Sequence, residues 1–116
     1  MKEFLYTEDS DKSDFPYNRT LMFGEGLFST FRYKSKLPDN FISHLERLKD
    51  SARMLNIKHP GDIYIESVLE RAIKNSPFES DDLTIKLLVL IEGDPSYGAL
   101  SEKSKLLISI KEFTAL

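Results

Sequence analysis

Few residues of this chain combine a ligand-binding side chain with a sequence position that would hold it in place. Lys86 stands between Ile85 and Leu87 in the apolar run Thr84–Ile91, where an ammonium without a partner is costly. Arg47 lies within Phe41–Ile57. Its guanidinium fork could grip an anion with two donors at once, and a solvated helix arginine is the plainer alternative. Phe23 precedes Gly24-Glu25-Gly26 and Phe28 follows it, so each ring is either a ligand-pocket wall or a piece of core. Other chemistries fall away. His44 and His59 are fifteen residues apart without further ligands at metal spacing. Gly24-x-Gly26 lacks a third glycine and the Gly-Lys-Ser/Thr ending, which removes the dinucleotide and P-loop readings. Asp81-Asp82 reads as a polar lead-in to a strand rather than a catalytic pair. With no cysteine there is no thiolate nucleophile, disulfide or Cys-based metal site.

These residues need elements to position them. Two glycines two apart make Phe23–Gly26 a sharp turn, because glycine takes positive φ at little cost. Leu27–Tyr33 is rich in β-branched and aromatic residues and reads as a strand. Ser29, Phe31 and Tyr33 share one face of it, and Phe28, Thr30 and Arg32 the other. Arg32 is expected to be a structural ion-pair partner. The loop Lys34–Asn40 leads into a helix whose stripe is Phe41, Leu45, Leu48, Ala52 and Leu55, with Asp39 or Asn40 as N-cap. A second helix runs from Gly61 or Asp62 to Asn75 with Ile65, Val68, Leu69, Ala72 and Ile73 buried, and Pro77 ends it. Thr84–Ile91 is mostly apolar on both faces, which predicts a strand near the centre of a sheet. Lys2–Thr7 and Leu106–Phe113 are further strands, and Glu92–Gly98 is a turn. The order β, β, α, α, β, β predicts an α+β fold, an antiparallel sheet with two helices packed on one face.

At 116 residues the chain has room for one domain, 1–116, with one core. Its 41% apolar and 30% charged content is that of a globular protein, and no run approaches the ~20 apolar residues of a membrane span. No basic flank precedes an apolar block at the N-terminus, so a cytoplasmic setting is expected. A net charge of −3 provides no electrostatic footprint for nucleic acid.

Two segments together resemble a known family. Arg19, Phe23, Gly24, Gly26, Phe28, Thr30 and Arg32 are followed by His44, Leu45, Arg47, Leu48, Ser51, Ala52, Leu55 and Ile57. In order and spacing this is similar to the small-domain signature of the class IV, fold-type-IV enzymes that use pyridoxal phosphate (PLP). That group includes branched-chain and D-amino-acid aminotransferases and 4-amino-4-deoxychorismate lyase. Departures are Asn18 for Asp, Thr20 for Gly, Glu25 for Asp and Glu92 where an Arg often precedes the glycine.

The resemblance implies that Arg47 contacts the cofactor phosphate. It implies that Phe23 and Phe28 line the substrate pocket and that Lys86 stands where an Arg often binds substrate carboxylate. Ser29 replaces the Glu common in aminotransferases, and Ser29-Thr30 favours the lyase, which eliminates pyruvate to give the folate precursor 4-aminobenzoate. A branched-chain or D-amino-acid aminotransferase, and a non-catalytic binding module that kept the fold, are the alternatives. The family's Schiff-base lysine and the acidic partner of the pyridine nitrogen belong to a second, larger domain. No lysine here matches that position, so no catalytic residue is assigned and the chain alone is expected not to catalyse. The implied partners are that domain in cis or in trans, a second copy in a homo-oligomer, and a small amino-acid-like substrate.

Overall fold

A computed structural model describes residues 3–8, 26–54, 59–91 and 104–114. The elements are β1 (Phe4–Tyr6), β2 (Gly26–Lys34), α1 (Phe41–Met54), α2 (Asp62–Asn75), β3 (Asp82–Ile91) and β4 (Ser104–Glu112). The strands form one antiparallel sheet in the order β1-β4-β3-β2. β3 is thus flanked on both sides, as its two apolar faces require. Ile85, Leu87 and Val89 are completely shielded on one face. On the other, Leu88 is buried opposite Leu107 of β4, with Leu5 packed against the pair.

Both helices pack on the Ile85/Leu87 face. The stripes Phe41, Leu45, Leu48 and Ala52 of α1 and Ile65, Val68, Leu69 and Ala72 of α2 are buried in one cluster with Leu27, Phe31, Ile108 and Ile110. This cluster spans every element except the short β1, whose Phe4 and Tyr6 lean against it from the rim. The expected α+β architecture is the one observed. β1 is shorter than Lys2–Thr7 suggested, and Ile73 is only half-buried. Asn40 occupies the N-cap position of α1, since its carbonyl accepts the His44 N–H. Leu55, the Phe23–Gly24 turn and the Glu92–Gly98 turn lie outside the described residues.

Directional contacts fix the ends. Arg32 donates from Nε and a terminal nitrogen to both carboxylate oxygens of Asp82, at 2.8 and 2.7 Å, where β2 meets β3. Its guanidinium also stacks 3.8 Å from the Phe113 ring centroid. Arg32 is the structural ion-pair partner that the sequence suggested, and Asp82 is its mate. Arg71 of α2 forks onto Glu8 beyond β1. Gly61 enters α2 at φ 100°, a backbone region that side chains disfavour, and its N–H donates to His59 Nδ1 at 3.0 Å.

Candidate functional site

Among the described residues, β2 is the edge strand at the end of the sheet opposite β1. Side chains from both of its faces therefore reach one cleft: Leu27 and Ser29 from the helix side, Phe28 and Thr30 from the open side. Across from them stand His44, Arg47, Leu48 and Ser51 of α1. The cleft encloses about 340 Å³. Among the described residues its lining holds one permanent cation, three hydroxyls and no carboxylate.

Arg47 is exposed, because it points away from the stripe that anchors α1. Its Nε lies 3.5 Å from the Ser43 carbonyl one turn earlier, a long contact that leaves the fork open to an incoming anion. Phe28 is 66% exposed, which removes the core-packing alternative for that ring. Lys86, on the same open face as Thr30 by register, is half-buried with Nζ 5.2 Å from the Phe28 ring centroid. Phe28 thus touches both parts of the arrangement, lining the Arg47 cleft on one side and meeting Lys86 on the other. Phe23 lies outside the described residues.

One pair was not legible in the sequence. Ser29 Oγ and His44 Nδ1 are 2.9 Å apart, and the His44 ring packs against Phe31 at a centroid distance of 5.6 Å. The sequence marks His44 as a signature position and as a rejected metal ligand, not as a partner of Ser29. The available signal was that Ser29 falls on the helix-facing side of β2, and His44 sits one turn before Arg47. Burial, and secondarily the nearby Arg47 charge, hold the His44 imidazole below its usual pKa, so the neutral ring is favoured. Ser29 therefore faces the helix, and only Thr30 of the Ser29-Thr30 pair lies on the open face with Phe28 and Lys86.

The donor set fits an anionic phosphate group. A guanidinium with hydroxyl donors beside it supplies charge-assisted hydrogen bonds, and among the described residues no lining carboxylate opposes the anion.

Solved structures share this arrangement of strands and helices. An aminotransferase from Brucella abortus bound to the cofactor PLP aligns over 98% of this chain, with a TM-score of 0.69 and 20% identity. A branched-chain aminotransferase from Thermoproteus uzoniensis with norvaline aligns equally far, again at a TM-score of 0.69 and 20% identity. The fold is that of the aminotransferase small domain. The chain spans 34–43% of the length of the solved structures it matches. Neither a family model nor a curated protein sequence matches it. Among the described residues, no helix is long and apolar enough to cross a membrane.

Proposed function

We propose that this chain acts as the small domain of a PLP-dependent class IV enzyme, holding the cofactor phosphate with Arg47 and facing the substrate with Phe28, Lys86 and Phe23. The observation that carries this reading is the convergence of Arg47, Thr30 and exposed Phe28 on one cleft, with no carboxylate among its described lining residues. The guanidinium fork and the neighbouring hydroxyls orient the phosphate, and thereby the whole planar cofactor. The Phe28 ring excludes water from one wall. The Lys86 ammonium is the point charge that orients a substrate carboxylate. When bound, the cofactor withdraws electrons from the substrate α-carbon. The lysine that moves the proton belongs to a larger domain, in cis or in trans, and the working unit is a cytoplasmic homo-oligomer.

Of the two reactions, we favour pyruvate elimination from 4-amino-4-deoxychorismate to give 4-aminobenzoate. Thr30, opposite Lys86 in the sheet register, offers a hydroxyl on the open face. Ser29, engaged with His44, supports this choice less than its place in the sequence suggested. Amino transfer is the second reading, favoured by the aminotransferases that share the fold.

Titrating the chain with PLP, with and without Arg47→Gln, tests the cofactor role. Binding that weakens in the variant and is displaced by inorganic sulfate is the expected result. Binding indifferent to Arg47 would overturn it. Coexpression with a lysine-bearing second chain, followed by assays for pyruvate release and for amino transfer, decides the reaction.

A further inference from the structure

We propose that Ser29 and His44 are positioning residues of the anion cleft, joining the strand that carries Phe28 and Thr30 to the helix that carries Arg47. This inference rests on the phosphate role given to Arg47 above.

The Arg47 side chain has no hydrogen bond to β2, and its long contact with Ser43 stays within α1. Where the guanidinium stands relative to Phe28 and Thr30 therefore depends on how α1 sits against β2. Apolar packing between them, such as the edge-on Phe31–Phe41 contact at 5.4 Å, holds the helix near but is non-directional. The Ser29–His44 contact at 2.9 Å is directional, and it forms at the right place. Ser29 lies between Phe28 and Thr30 in β2, so fixing it fixes the strand wall. His44 lies three residues before Arg47, so the two are neighbours on one side of α1. A restraint on one is passed one turn along to the other. The His44 ring is further held against Phe31.

Among the described residues lining the cleft, Arg47 on its own helix is the charged side chain, and β2 contributes only Leu27, Phe28, Ser29 and Thr30. A neutral ring leaves Arg47 as the anion's cation. A protonated ring would add a second, one turn away.

The test uses the full chain and sulfate, which stays dianionic across the neutral range, read by chemical-shift titration. His44→Phe keeps a ring against Phe31 but has no Nδ1, Ser29→Ala removes the other partner, and His44→Asn places an amide near the Nδ1 position. We expect sulfate affinity to fall about fivefold in His44→Phe and Ser29→Ala, and to stay within about twofold in His44→Asn. Wild-type affinity should also rise as pH falls below the ordinary histidine range, because a bound dianion favours the imidazolium. His44→Asn should lack that rise. Wild-type affinity in Ser29→Ala, or equal losses in His44→Asn and His44→Phe with native circular dichroism, would overturn the proposal. Where His44→Phe does not fold, Ser29→Ala and His44→Asn decide alone. An unaffected Arg47→Gln would overturn the phosphate reading itself, whereas a weakened Arg47→Gln with an unaffected Ser29→Ala overturns only this inference.

Discussion

Replacing Lys86 with Met should separate ligands that carry a substrate carboxylate from those that carry only the cofactor. The Lys86 ammonium lies 5.2 Å from the Phe28 ring centroid, half-buried on the open face of the interior strand β3. A hydrogen bond from an ammonium to a carboxylate contributes ~1.5–3 kcal/mol, which is roughly 10- to 150-fold in affinity. Partial exposure screens the charge, so the low end, about tenfold, is expected. Stability should change little. The cation–π contact contributes ~0.5–1 kcal/mol, and a Met sulfur against the same ring offsets much of it. The assay is a pair of titrations, one with pyridoxamine phosphate and one with a reduced phosphopyridoxyl–amino acid conjugate that adds the carboxylate. Lys86→Met should weaken the conjugate about tenfold and leave pyridoxamine phosphate unchanged, while Arg47→Gln should weaken both by the same factor. If Lys86→Met weakens both ligands alike, or neither, Lys86 does not read the substrate carboxylate and the reasoning from its strand position is wrong.

Three predictions concern the scaffold. Leu87→Ala empties a completely buried site on β3 and should cost ~2–5 kcal/mol in denaturant unfolding, whereas Ile63→Ala, at an 83% exposed position, should cost almost nothing. Equal effects would contradict the buried face assigned to β3 and the exposed face assigned to α2. Gly61→Ala forces a side chain into φ 100°, ψ 138° and should destabilise by ~1–3 kcal/mol although open space surrounds the new Cβ, a result checked by thermal melting. Burial depresses the pKa values of both His44 and His59, so the folded state binds fewer protons than the unfolded one. Their contribution to stability is complete above the ordinary histidine range and is lost as pH falls through it towards the depressed values. Urea midpoints should therefore decline from pH 7 to pH 5, and a flat profile would show that neither imidazole is held neutral.

Much of this molecule was determined by sequence pattern alone. Thr84–Ile91 is mostly apolar on both faces, a pattern that suits an interior strand of the sheet. The helices follow because Phe41, Leu45, Leu48 and Ala52, and Ile65, Val68, Leu69 and Ala72, recur at helical spacing. Arg47 as an exposed helix residue and Arg32 as an ion-pair partner follow from positions off those stripes or faces. Tertiary structure decided what a one-dimensional pattern cannot encode, namely which of these residues meet. Phe28 read equally well as core or as pocket wall. It is exposed because β2 took the edge of the sheet, beyond the last flanking strand. The edge position also explains why residues from both faces of β2 share one cleft. Ser29 and His44 each stand in the signature segments, but nothing in the sequence pairs them, fifteen residues apart on different elements. They bond because packing of the α1 stripe rolls His44 over the strand, and that alignment depends on the whole core rather than on either residue.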